Sequence, residues 1–132
     1  SMGWINLREF GIKDSLILKF MKEFKSFESF IRDENLRILD RDIRAKVLLA
    51  ALHDNRKFYE KLQENNIRLL EYTSDDYPEN LRNIQDPPLF LYVAGKIKFS
   101  ERNIGVVGTR RNTIYGNLRG VSLHTRSQTR VK

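Results

Sequence analysis

The sequence predicts a mixed fold, α+β to α/β, in which a helical first half gives way to strands. Apolar residues recur at helical spacing as far as Asn66, then fall into short continuous or alternating runs. One of those runs ends in Gly108 and hands the chain to a polar, arginine-bearing turn. With 40% hydrophobic residues, including eight Phe, five Tyr and one Trp among 132, the chain can build a packed core.

Trp4, Ile5, Leu7 and Phe10 form the first stripe, which stops at Gly11. Asp14 is placed to cap a second helix carrying Leu16, Ile17, Phe20, Met21 and Phe24. Ser26 or Glu28 starts a third, with Phe27, Phe30 and Ile31 facing inward. Asp40 or Asp42 opens a fourth, whose inward residues are expected to be Ile43, Val47, Leu48, Ala51 and Leu52. A fifth runs from about Asp54 through Phe58, Tyr59 and Leu62 to Asn65-Asn66, where asparagine can take the left-handed conformation that closes a helix. These stripes read as core rather than as a ligand box.

Ile67-Arg68-Leu69-Leu70-Glu71-Tyr72 then reads as a strand, residues 73–77 as a polar turn and residues 78–84 as a single helical turn. Asp86-Pro87-Pro88 breaks the chain, because proline fixes φ and lacks a donor N–H. Residues 89–95 and 104–108 read as two further strands, the second apolar enough for burial on both faces of an α/β sheet. From Asn117 onward there is no sustained period, no acid and little large apolar surface, so residues 117–132 are expected to be disordered or unrelated sequence. An α/β domain that begins and then stops leaves strand edges unpaired, so the chain is expected to be truncated or replaced after Gly116. The expected organisation is a helical domain over 1–66, the start of an α/β domain over 67–116, and a tail over 117–132.

Having no cysteine excludes disulfide scaffolds, zinc-thiolate sites and thiol catalysis. Apolar runs such as residues 47–52 fall far short of the roughly 20 residues that cross a bilayer, so no membrane partner and a cytoplasmic location are expected. The formal net charge of +7 invites a polyanion. Its distribution matters more than its sum, for residues 1–101 hold 17 basic and 17 acidic side chains, whereas residues 102–132 hold 7 basic and no acidic ones.

The chemistry concentrates in Val106-Val107-Gly108-Thr109-Arg110-Arg111-Asn112-Thr113-Ile114-Tyr115-Gly116. A buried strand that ends in glycine and leads into a helix start offers free backbone N–H groups and a positive dipole end to an anion, and Gly108 has no Cβ to obstruct it. Thr109 adds a hydroxyl donor, and Arg110 a guanidinium fork suited to two phosphate oxygens. Gly105 and Gly108 give G-x-x-G, so neither the dinucleotide fingerprint nor the P-loop is met, and no cofactor is expected. The plainer alternative is a tight turn at Gly108 flanked by solvated arginines.

Asp76-Tyr77-Pro78, Leu81, Ile84, Asp86-Pro87-Pro88, Leu91-Tyr92, Gly95, Val106-Val107-Gly108-Thr109-Arg110 and Tyr115-Gly116, in this order and spacing, resemble the DNA-processing DprA (Smf) family. The helical part, with Trp4, Gly11-Ile12 and the stretch from Phe24 to Phe30, is similar to that family's small domain of the SAM or helix-hairpin-helix type. The resemblance runs from about Trp4 to Gly116. It implies an incomplete Rossmann-like domain in a bacterial protein of natural transformation (competence) and recombination, which binds single-stranded DNA and loads the RecA recombinase. It carries phosphate contact onto Gly108, Thr109 and Arg110, with Arg111 and Tyr115 assisting beside them. It also implies a homodimer in full-length members, through a surface in the part of the domain that follows the Tyr-Gly pair. No catalytic residue and no metal ligand is assigned, so no enzyme activity is expected.

Other candidates are weaker. His53 and His124 have no second ligand or nucleophile at useful spacing, and Asp75-Asp76 before Tyr-Pro reads as turn support. Lys13, Lys19, Lys22 and Lys25 line part of the second helix, where interleaved acids favour an ordinary solvated face over DNA contact. Two other classes of function stay open: a nucleotide-processing enzyme on a Rossmann scaffold, and a helical protein-interaction module.

Overall fold

The computed structural model describes residues 3–94 and 106–110, apart from the side chains of Asp33, Val106 and Val107. The chain divides into two compact units between Arg56 and Lys57, inside the segment that the periodicity alone assigns to the helical part.

The first unit is helical. Helix α1 (Trp4–Glu9) ends at a turn where Gly11 takes φ +89°, a backbone conformation in which a Cβ would be strained. Helix α2 (Asp14–Glu23) has Lys13, not Asp14, at its N-cap. The Asp14 carboxylate instead takes a two-pronged bond from the Arg8 guanidinium, at 3.0 and 2.8 Å, which ties α2 to α1. Helix α3 (Phe27–Phe30) starts as expected, with the Ser26 hydroxyl accepting from the Ser29 N–H. A further turn, α4 (Asp33–Leu36), lies where no helix is expected from the sequence. Helix α5 (Arg41–Leu52) is capped by Asp40, whose carboxylate accepts from the Asp42 N–H.

Aromatic rings fill the core of this unit. Phe30, almost fully buried, stacks on Phe20 at 4.4 Å and on Trp4 at 5.5 Å, while Phe27 meets the edge of Trp4 at 5.4 Å. Leu7, Ile17 and Met21 close around them, and α5 contributes Val47 and Ala50. The inner stripe of α5 therefore differs from expectation: Leu48 and Leu52 face solvent at 45% and 84% exposure. Apolar residues occupy two sides of this helix, so periodicity could not decide which side is buried. Asn6, itself buried, spans from α1 to the end of α5: its amide donates to the Ala50 and His53 carbonyls, and its oxygen accepts from Asn55.

The second unit is built on a sheet. Helix α6 (Arg56–Glu64) leads into it and ends at Asn66, which takes the expected left-handed φ of 58°. Strands β1 (Ile67–Glu71), β2 (Phe90–Ala94) and β3 (Val106–Gly108) lie in the order β1-β2-β3, and both pairings are antiparallel. No parallel pairing occurs among the described strands. Register sets Leu70 opposite Leu91 and Arg68 opposite Val93, and Leu70, Leu91 and Val93 form a cluster with Tyr77, Tyr72 and Leu81. On the other face Phe90 and Tyr92 are fully buried, and Phe58 of α6 meets Tyr92 edge-on at 6.4 Å.

The connection from β1 to β2 contains the short helix α7 (Glu79–Arg82) and is fastened at several points. The Glu71 N–H donates to the Ser74 hydroxyl, and the Ser74 N–H returns to the Glu71 carbonyl. Arg82 lies against the rings of Tyr72 and Tyr77, 5.5 and 5.2 Å from their centroids, and donates to the Ser74 carbonyl at 2.8 Å. The Tyr77 hydroxyl donates to the Pro88 carbonyl at 2.7 Å, and the Tyr72 N–H to the Leu89 carbonyl at 2.8 Å. Burial pushes the Tyr59 and Tyr77 phenols well above their usual range, with help from the nearby Glu71 charge at Tyr59. No helix among the described residues is long and apolar enough to cross a membrane.

Candidate phosphate-binding turn

Strand β3 reaches the sheet with a break in register. Val93 pairs with Val106 and Tyr92 with Gly108, so one residue of β2 is matched by two of β3, and Val107 is the extra one. Such a bulge bends its strand and re-aims the chain that follows. Here the chain that follows is the candidate site: Gly108 is buried against the sheet, Thr109 is half-buried, Arg110 is exposed, and the last two form a bend. The sequence offers no signal for the bulge, since Val-Val-Gly reads as uninterrupted strand.

The structure thus brings Gly108, Thr109 and Arg110 together at the end of an antiparallel strand. The graded burial suits anion contact, since a buried glycine, a half-buried threonine and an exposed arginine follow one another. Arg111 and Tyr115 lie outside the described residues, as do the helix start expected after the turn, Gly95, Gly105, the Tyr115-Gly116 pair, His124 and the whole of 117–132.

The weaker candidates are placed as follows. Lys13, Lys19, Lys22 and Lys25 are all exposed on or beside α2. His53 is exposed just past α5 and meets the Phe10 ring edge-on at 5.3 Å. Asp75 and Asp76 are exposed in the turn after β1, where Asp76 stands 4.0 Å from the Arg68 guanidinium. No group of His, Asp and Glu side chains suited to a metal ion occurs among the described residues.

Two comparisons with known proteins bear on this turn. The family described as DNA recombination-mediator protein A matches residues 68–127, which covers the sheet from Arg68 onward, the turn and sequence beyond Gly116, where the resemblance carried by the motif blocks stops. The DNA processing protein DprA of Bacillus subtilis (strain 168) is 33% identical over 115 residues. That alignment takes in 80% of this chain and 37% of the relative, so the chain spans little more than a third of the length of the protein it matches. No solved structure matches it. Through both the matched family and this relative, the chain belongs to the DprA family of DNA recombination mediators.

Proposed function

We propose that the chain contributes the opening part of a recombination mediator that binds single-stranded DNA, with Gly108, Thr109 and Arg110 gripping backbone phosphate and Arg111 and Tyr115 beside them. The observation that carries this reading is the turn itself: a bulged strand ends in a buried glycine, and the exposed Arg110 follows two residues later. A contact of that kind reads phosphate rather than base, so it suits a protein that must coat any sequence. Handing the coated strand to RecA, a SAM-like identity for the helical unit, completion of the sheet as a Rossmann-like domain and work in the cytoplasm all belong to the same proposal, and rest on the family.

The test is equilibrium binding of a fluorescein-labelled oligo(dT) followed by anisotropy across a sodium chloride series, for the unaltered chain and for Arg110→Ala. Loss of one phosphate contact should weaken binding on oligo(dT) and on a mixed-sequence strand alike. It should also reduce the slope of log K against log salt by about 0.7. Equal affinity and equal slope in the two proteins would remove Arg110 from the proposed contact.

A further inference from the structure

Arg82, the last residue of α7, is an arginine whose donors are already committed. Nη2 donates to the Ser74 carbonyl at 2.8 Å and Nη1 to the Glu79 carboxylate at 3.1 Å, while Nε is enclosed without a partner. A guanidinium grips phosphate through its N–H edge, and here that edge is occupied or enclosed. Its carbon lies 5.5 Å from the centre of the Tyr72 ring and 5.2 Å from that of Tyr77, two rings that meet edge to face at 5.5 Å. The side chain is nevertheless 25% exposed, and Tyr72 is only half-buried. What this arginine still offers to a ligand is the face of its plane. Guanidinium planes and aromatic rings stack nucleobases with little regard to sequence, because every base has a π-face.

The sheet puts this arginine at the same end as the candidate phosphate turn. The Tyr72 N–H donates to the Leu89 carbonyl just before β2, and β2 runs antiparallel to both of its neighbours. The start of β2 therefore lies between the end of β1, which Tyr72 follows, and the end of β3, where Gly108 leads to Thr109 and Arg110. Two strand spacings separate them, on the order of 10 Å, which a few nucleotides of single strand can bridge. We infer that Tyr72 and Arg82 form a stacking platform for a base of the strand whose backbone phosphate the Gly108–Arg110 turn grips. The inference rests on the function proposed above and adds a contact of a different kind to it. Arg110 meets charge on the backbone, whereas Arg82 meets the flat face of a base.

The test compares oligo(dT) with an abasic strand of the same length, both fluorescein-labelled, by anisotropy with the full chain. Arg82→Lys keeps the charge and removes the plane. It should weaken binding to oligo(dT) about tenfold while leaving both the affinity for the abasic strand and the slope of log K against log salt unchanged. Equal loss on the two strands would make Arg82 a support of the fold, and a lower slope on both would make it a phosphate contact. No loss on either would remove it from the strand altogether, and each of these three results overturns the inference. The melting temperature of Arg82→Lys by far-UV circular dichroism checks its folding. A second measurement needs no variant: 2-aminopurine in the strand should lose emission on binding to the unaltered chain, and bound emission as bright as free also overturns the platform. Arg110→Ala separates the two contacts. A lower salt slope in Arg110→Ala, with no base-dependent loss in Arg82→Lys, removes the platform alone, whereas failure of the unaltered chain to bind either strand removes the proposed function with it.

Discussion

Replacing Asn6 by alanine should loosen the helical unit by an amount that can be worked from its contacts. The side-chain amide donates to the Ala50 carbonyl at 2.9 Å and the His53 carbonyl at 3.2 Å, and its oxygen accepts from the Asn55 amide at 3.2 Å. The two carbonyls lie at the end of α5, where Ala50 otherwise accepts only the closing bond from the His53 N–H at 3.2 Å, and Asn6 is only 3% exposed, so water cannot readily replace it. At about 1 kcal/mol net for each bond, Asn6→Ala should cost about 3 kcal/mol, a large share of the stability of any small unit. The chain has one tryptophan, Trp4, fully buried and two residues before Asn6 on α1, so its emission during urea unfolding reports on this unit. With a slope of about 1 kcal/mol/M, the midpoint should fall by about 3 M. Asn55→Ala removes one of the three bonds and should cost about 1 kcal/mol. A loss under 1 kcal/mol for Asn6→Ala, at unchanged slope, would refute the view that this residue holds α1 to the end of α5.

Two further perturbations test other parts of the fold. A Cβ on Gly3 would overlap the Phe27 ring, which is itself held by the edge of Trp4, so Gly3→Ala should lower stability by about 1 to 3 kcal/mol, read as a fall in the thermal midpoint of Trp4 emission. Tyr59 and Tyr77 hold their protons more tightly when folded than when unfolded, so their contribution is complete below the ordinary phenol value near 10 and is lost as pH rises above it. Between that value and their raised folded ones, each should take away about 1.4 kcal/mol per pH unit. Tyr77→Phe should halve this alkaline slope in pH-dependent urea titrations, and an unchanged slope would show that the phenol does not govern it.

Much of the local structure was legible because single residues announce it. Ser26 and Asp40 cap helices where short polar side chains precede apolar stripes, and Asn66 closes α6 in the left-handed conformation. Asp14 misled, since an acid in the first turn can serve a neighbouring arginine as well as a cap, and Arg8 claimed it. The inward side of α5 was not legible, because Leu48 and Leu52 are as apolar as Val47 and only tertiary packing distinguishes them. At the candidate site Gly108, Thr109 and Arg110 were visible as a turn at a strand's end. The antiparallel pairing and the extra residue at Val107 were not, because pairing direction and bulges depend on a partner strand that is distant in sequence.

The fastened connection between β1 and β2 has a consequence for how the sheet finds its alignment. Phe90, Leu91, Tyr92 and Val93 are all fully buried, so β2 has no solvent-facing polar side whose burial would penalise a slip. In most sheets such a slip is forbidden because it turns apolar side chains out to water. Here the information resides in the connection: Tyr77 takes hold of Pro88 and Tyr72 of Leu89, immediately before the strand begins. The first residue of β2 is thereby delivered to a defined place, and every later pairing, down to Tyr92 opposite Gly108, counts from it. Because β2 and β3 are antiparallel, the close of β3 lies beside the start of β2, so the arginine turn is positioned from the same end of the sheet at which a tyrosine hydroxyl and a backbone amide hold the chain.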